Sequence, residues 1–369
     1  MEEIFLKKIV LYLPNLNAGG AQRVILNLCS YFLEINLNIL LLIGVKEGRL
    51  KDQIPSKCRI HVLGKARTRN SIIPFIKFCN LNKPDIVLST LGAAVTIGIA
   101  KPFIFYNTKF ICRVGNTVSS ESLMKKTITQ KILFYLANKI TFINSDLIIC
   151  QSEYMKNDVI SYLKCSSNKF KVIYNPINIS KIHNLCLEDA PQFDLIAIGR
   201  LMEQKDYYTL INCIEILVKN NFFIKLGIIG EGHLQTYLFK LVKEKQLCQF
   251  ITFLGYQSNP YKYLYRSKFL ISTSVYEGFS NVIIESLSLG IPVIATDCPS
   301  GNREIIKEGY NGFFTNVGSS ENMANVIKNA FRQRDNLKMH TIKNNISIFF
   351  NISNIGQQYL RVFLNLINN

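Results

Sequence analysis

Short runs of Ile, Leu and Val recur along the chain, each bounded by Gly, Pro, Asn or Asp and separated by stretches in which apolar positions return every three or four residues. Such runs are too short for helices and too continuously apolar for strands with one wet face. They read as strands of parallel sheets covered on both sides. In the first half they occupy residues 8–13, 38–45, 59–63, 85–89, 110–113 and 146–150, and residues 20–33, with Val24, Leu28 and Phe32 on one face, read as a helix. A polar, Pro-containing stretch from Asn175 to Pro191 breaks the rhythm. A second series follows at 195–198, 225–229, 251–254, 269–272 and 293–296, with helices starting near Tyr207, Leu234, Pro260, Asn281 and Arg303. The pattern predicts two α/β domains, residues 1–178 and 190–345, and a terminal segment 346–369 holding a last helix over 355–366.

Composition narrows the function classes. A length of 369 residues exceeds what one core usually supports, and 48% hydrophobic with 18% charged residues describes a globular protein. The ten cysteines are scattered, with at least 14 residues between neighbours and no C-x-x-C. That spacing argues against zinc and against a disulfide framework, and for reduced thiols in a cytoplasm. The four histidines (His61, His183, His233, His340) lack metal-ligand spacing. Glu2 and Glu3 follow Met1, and 4–6 is too short an apolar run for a signal peptide; the weakly polar run 87–100 is too short to span a bilayer. A soluble or peripheral protein is expected. The net charge is +18, and residues 1–160 hold 21 basic and 10 acidic side chains, so the first half is the more basic per residue. Nucleic acid, an anionic membrane and phosphorylated substrates all fit that charge.

The candidate chemistry sits in loops that follow strands. Pro14–Gly20 leads from the first strand into the first helix, and Gly19-Gly20 lets backbone approach a phosphate at a helix N-terminus. There is no G-x-G-x-x-G and no acidic residue closing the second strand, which disfavours a nicotinamide cofactor. Gly199-Arg200 with Lys205 follows the first strand of the second series, in the usual ligand crevice of an open α/β sheet. Gly230-Glu231-Gly232 and Gly301-Asn302-Arg303-Glu304 follow later strands on the same edge. Glu277 and Glu285 stand eight apart across Gly278-Phe279-Ser280-Asn281, with Ser280 at the expected N-cap. The N–H groups of 278–280 then face an anion beside a carboxylate, which suits a ligand carrying phosphate and hydroxyls, such as a nucleotide sugar.

Together these residues resemble the family 4 glycosyltransferases, retaining enzymes of the GT-B fold. The matched pieces are Gly19-Gly20 with Ala21-Gln22-Arg23-Val24, Gly199-Arg200 with Lys205, Gly230-Glu231-Gly232, Glu277 to Glu285, Gly290-x-Pro292-Val293-Ile294 and the 301–304 segment. The resemblance implies two Rossmann-like domains facing across a cleft, with the C-terminal helix crossing back to the first. It implies that Arg200 and Lys205 bind the donor diphosphate, that Glu285 holds the ribose, and that Glu277 with the 278–280 turn and Asn281 holds the sugar. Gly19, Gly20 and Gly232 would line the phosphates. No cofactor or metal is implied, in keeping with the absence of Asp-x-Asp, and catalysis would rest on orientation and stabilisation of the departing diphosphate. Many members carry a histidine after a first-domain strand. Here that region reads Cys112-Arg113-Val114-Gly115-Asn116, so Arg113 and Asn116 stand where the sugar-side contact would be.

Residues 122–141 form a basic amphipathic segment, with Lys125, Lys126, Lys131 and Lys139 among Leu123, Ile128, Ile132, Leu133, Phe134 and Leu136. It reads either as a packed helix with a solvated lysine face or as a helix lying on an anionic bilayer. The sequence thus predicts a cytoplasmic transferase, peripheral at the inner face of the cytoplasmic membrane. It would move a hexose or N-acetylhexosamine from a UDP-sugar to a polyprenyl-diphosphate-linked glycan of a bacterial O-antigen, capsule or related polymer. A soluble transferase acting on a small sugar or sugar phosphate is the alternative. A nucleic-acid partner is not expected, because no reader signature accompanies the charge.

Overall fold

The computed structural model describes residues 3–65, 67–90 and 92–368. The chain forms two compact units: one runs to Ile177 and resumes at Phe350, and the other is Asn178–Phe349. The first unit is built on seven strands, β1 (Ile9–Leu13), β2 (Ile39–Ile43), β3 (Arg59–Val62), β4 (Ile86–Thr90), β5 (Lys109–Arg113), β6 (Leu147–Cys150) and β7 (Phe170–Val172). They lie in the order β3-β2-β1-β4-β5-β6-β7, and every pair is parallel. Ile9 is in register with Ile39 on one side and Ile86 on the other. β1 and β4 are buried along their whole length, as central parallel strands with helices on both faces must be.

The second unit repeats this logic with β8 (Phe193–Ile198), β9 (Leu226–Ile229), β10 (Ile251–Gly255), β11 (Ser267–Ser272), β12 (Val293–Thr296) and β13 (Gly312–Thr315), in the order β10-β9-β8-β11-β12-β13. In each sheet the chain works outward from its first strand, then returns to the other side of it. The strand order reverses between β1 and β4 and between β8 and β11. A crevice opens at the carboxyl ends of strands where their order reverses, and there such folds bind ligands.

The chain comes back to the first unit through a short parallel bridge. Ile177 N–H donates to Phe350 O (2.9 Å) and Ile352 N–H donates to Ile177 O (3.0 Å). The helix Ile352–Asn368 follows and buries Ile355, Tyr359, Val362 and Phe363 in the core that also holds Leu28 and Phe32 of the helix Gly20–Glu34. Gly356 allows the close approach, since a Cβ there would lie 2.3 Å from Tyr31 Cε1. Burying four large side chains is worth on the order of 6–12 kcal/mol at ~1.5–3 kcal/mol each. This last helix is longer than the 355–366 stretch the pattern suggests.

The segment 122–141 is broken rather than continuous. A helix Val118–Leu123 ends at Met124, and a second, Ile128–Asn144, starts behind Thr127, whose hydroxyl accepts from Gln130 N–H at 3.2 Å. Only Thr141 and Phe142 of the second helix are buried. Ile128, Ile132, Leu133, Leu136, Ile140 and Ile143 are all exposed. One side of this helix packs on the helix Gly92–Ala100, while the other leaves these six apolar side chains in solvent. Among the described residues, no helix is long and apolar enough to cross a membrane.

Candidate active site

β8 ends at Ile198, and the chain turns through Gly199–Met202 into the single turn Glu203–Lys205. The Gly199 N–H donates to Ile229 O (2.9 Å), and its carbonyl accepts from the Tyr207 hydroxyl (3.1 Å). Two further glycines let the loops after β8 and β9 stack on each other. A Cβ at Gly230, where φ is +145°, would lie 1.9 Å from Gly199 O, and one at Gly232 would lie 2.1 Å from Leu201 O. Leu201 N–H donates to Glu231 O (2.9 Å) across the same seam. Arg200 is left exposed on this turn. Asp206 ends it in the left-handed region (φ 45°) and accepts from Thr209 N–H at 3.2 Å, starting the helix Tyr207–Lys219.

The loop after β11 locks onto this turn at the point where strand order reverses. Thr273 Oγ1 donates to Lys205 O (2.6 Å), Val275 N–H to Gln204 O (2.9 Å), and Gln204 Nε2 to Tyr276 O (3.0 Å). The result is a direct ion pair between Lys205 Nζ and Glu277 Oε1, with Ser274 Oγ donating to the same carboxylate oxygen at 2.8 Å. The Lys205 and Glu277 side chains are 20% and 13% exposed, so the pair is screened only in part and holds both side chains in place. The Tyr207 hydroxyl titrates well above its ordinary range, because it is buried and because the Glu277 charge opposes a second negative charge.

Beyond Glu277 the backbone is pinned again, with Glu277 N–H to Pro299 O (3.1 Å) and Gly301 N–H to Gly278 O (2.9 Å). This brings the 299–301 turn onto the 277–280 turn. Ser280 occupies the N-cap of the helix Asn281–Ser288, but its side chain makes no capping hydrogen bond. Among the described residues, no backbone acceptor meets the N–H of Gly278 or Ser280. Phe279 and Ser280 are buried side chains that fix the turn. Glu285, one turn into the helix, is 7% exposed, and its Oε1 accepts from the Tyr261 hydroxyl at 3.2 Å. Tyr261 and Gln204 had no motif to mark them as partners. Ser274 alone carried a signal, since it stands three residues before Glu277 at a strand's carboxyl end.

In the first unit, Gly19 is the extended N-cap of the helix Gly20–Glu34, and Gln22 Nε2 donates to Asn15 Oδ1 (3.2 Å) across the preceding loop. Asn116 Oδ1 accepts from Thr117 N–H (3.0 Å) and is half-buried. Arg113 ends β5. Its side chain points into the unit and is 1% exposed, with Nη1 donating to Thr90 Oγ1 (3.4 Å) and Nη2 to Asn175 Oδ1. Burial lowers its pKa, and the nearby Tyr359 hydroxyl, outside normal hydrogen-bond geometry, offsets part of that. The physical reason is β5 itself: it is covered on both faces, so a side chain at its end turns inward as readily as outward.

Comparison with known proteins meets this geometry at both units. A family model described as "Glycosyltransferase Family 4" matches residues 18–181, and one described as "Glycosyl transferases group 1" matches 180–347. The chain is a glycosyltransferase of the GT-B type. Its relatives include a Campylobacter jejuni N-acetylgalactosamine-N,N'-diacetylbacillosaminyl-diphospho-undecaprenol 4-alpha-N-acetylgalactosaminyltransferase, 28% identical, with 88% of this chain and 90% of that one aligned. The amylovoran biosynthesis glycosyltransferase AmsD of Erwinia amylovora is 25% identical over 83% of this chain and 84% of its own. Among solved structures, Anabaena HepE in complex with UDP-glucose superposes with a TM-score of 0.79 at 19% identity, over 97% of this chain and 99% of that one. In this glycosyltransferase, the Lys205–Glu277 pair, the Gly278–Ser280 turn and Glu285 therefore share one sheet edge. No group of three or more His, Cys, Asp or Glu side chains able to hold a metal ion occurs among the described residues.

Proposed function

We propose that the protein transfers a hexose or N-acetylhexosamine, with retention of configuration, from a UDP-sugar to a lipid-linked oligosaccharide in the assembly of a bacterial surface glycan. The observation that carries this reading is the Lys205–Glu277 ion pair beside the acceptor-free N–H groups of Gly278 and Ser280. That edge offers a cation and backbone donors to a diphosphate and a carboxylate to sugar hydroxyls. Arg200, exposed on the adjoining turn, adds a second cation. Glu285, held by Tyr261, suits the ribose. The sugar's C1–O bond to the β-phosphate breaks as the acceptor oxygen bonds C1 on the same face, and the acceptor's proton passes to the departing phosphate oxygen. The protein supplies charge stabilisation and alignment in this scheme and no nucleophile.

The lipid-linked acceptor is supported by the undecaprenol-linked substrate in the name of the Campylobacter relative. The exposed apolar and lysine-bearing helix Ile128–Asn144 supports work at the inner face of the cytoplasmic membrane. UDP is the nucleotide bound in HepE complexes. A thermal-shift series tests the donor assignment: UDP raises the melting temperature by about 4–8 °C at saturation, on the order of 2–3 kcal/mol of linkage, and EDTA leaves the shift unchanged. A shift abolished by EDTA, or one larger for NAD than for any nucleoside diphosphate, overturns it.

A further inference from the structure

Ten cysteines are free in this structure, and two of them face each other inside the first unit. Cys29, fully buried on the helix Gly20–Glu34, places its Sγ 3.4 Å from the Sγ of Cys58, which is half-buried just ahead of β3. The chain separates them by 29 positions, so the contact is tertiary rather than a local turn. A disulfide needs ~2.05 Å between the sulfurs, and the remaining ~1.3 Å is within the reach of small χ1 changes at two residues. Cys58 is the more accessible of the two, and Cys29 is fully buried.

We infer that Cys29 and Cys58 are a reversible thiol–disulfide site, oxidised by small-molecule disulfides through Cys58 and resolved by Cys29. The Cys58 thiol lies below its ordinary range, first because of its hydrogen bond with Cys29, with the Leu41 backbone and the Arg59 charge adding to this against the effect of burial. Cys29 is raised, first by its hydrogen bond with Cys58 and then by burial. Cys58 is also the partly exposed thiol of the pair, so thiolate chemistry begins there.

With oxidised glutathione, Cys58 sulfur attacks one glutathione sulfur, forms a mixed disulfide and releases one glutathione thiolate. Capping Cys58 removes the main influence that keeps Cys29 protonated. Cys29 then gives up its proton to the medium and attacks Cys58 Sγ, and the second glutathione thiolate leaves. Two protein thiols are oxidised and one glutathione disulfide is reduced to two thiols. The bond would tie the helix headed by Gly19 and Gly20 to the segment that buttresses the same loop, where Leu16 N–H donates to Glu47 O (3.1 Å) and Leu50 N–H to Leu16 O (2.9 Å). The site stands whatever the transferred sugar.

Incubation of the native, full-length protein with oxidised glutathione, followed by thiol alkylation in denaturant and peptide mass spectrometry, tests it. The expected product is a Cys29–Cys58 cross-linked peptide, two hydrogens lighter, lost on treatment with dithiothreitol and accompanied by a higher melting temperature. Exposed Cys248 should carry only a glutathione adduct in the same sample. Cys29→Ala should trap the mixed disulfide on Cys58, and Cys58→Ser should leave Cys29 unmodified. A stable glutathione adduct on Cys58 of the wild type with no bridge overturns the inference. So does a Cys29–Cys58 pair still reduced after Cys248 has reacted fully.

Discussion

At the scale of single residues, the two glutamates have unequal surroundings and should fail differently. Glu277 is held by Lys205 and Ser274, so Glu277→Gln keeps the fold but lets the carboxamide reorient. Misplacing the sugar by about 1 Å can lower turnover roughly 100-fold, and kcat should fall with little change in UDP affinity. Glu285→Gln should instead weaken UDP binding by roughly 10-fold, the scale of a hydrogen bond to a charged group, with kcat nearly kept. Isothermal titration and steady-state kinetics on both variants separate the roles; parallel losses would show that the two act as one unit. Gly230→Ala is a structural counterpart. Its φ of +145° and the 1.9 Å approach to Gly199 O predict a loss of at least about 2 kcal/mol of stability, read by chemical denaturation. The carboxylate pair was legible in the sequence because a helix start between two acids is a local signal. Arg113 was legible as a position but not as a direction. β5 is buried on both faces, so the alternation that tells inside from outside in a half-wet strand is missing.

Among the elements, the helix Ile128–Asn144 carries the sharpest prediction. Six large apolar side chains are exposed along it, and Lys126, Lys131 and Lys139 border them, while Lys125 is already engaged by Glu121 at 3.4 Å. Vesicles containing anionic lipid should bind the protein at low salt and release it at high salt, because charges at that surface are screened within about 8–10 Å. Replacing Lys126, Lys131 and Lys139 with Glu should release it while the UDP-induced melting shift persists. Equal flotation of wild type and variant would assign the exposed face to something other than lipid. Strands with continuous apolar runs were readable from the sequence, and β1, β4, β8 and β11 lie where the pattern puts them. β7 and β13 had no such run to announce them. Both close a sheet as edge strands of three and four residues, and β7 buries none of its residues fully, so neither needs the apolar density of a central strand. The break at Met124–Thr127 was hidden because Lys125 and Lys126, inside it, run on into the charge pattern of Lys131 and Lys139.

For the molecule as a whole, the return of residues 350–369 makes the first unit discontinuous, with the second unit inserted between its parts. The returning helix was foreseen only through family resemblance. Its amphipathic pattern says that it packs somewhere, and the partner is set by Tyr31 and Gly356, far apart in the chain. Removing residues 352–368 should therefore lower the stability of the first unit by most of the ~6–12 kcal/mol estimated from its four buried side chains, leaving the second unit's response to UDP in place. The same topology fixes an order of events during synthesis. The second unit is one unbroken stretch of chain and has every residue of its core once Phe349 has left the ribosome. The first unit begins to emerge earlier yet is finished later, with Phe32 and Leu28 lacking their cover until Tyr359 and Phe363 arrive. For as long as the middle of the chain takes to be made, at about 5–20 residues per second, the nascent protein carries an unsealed apolar groove. A chaperone that recognises such surfaces would have its longest opportunity there, and a pause late in the reading frame would prolong it.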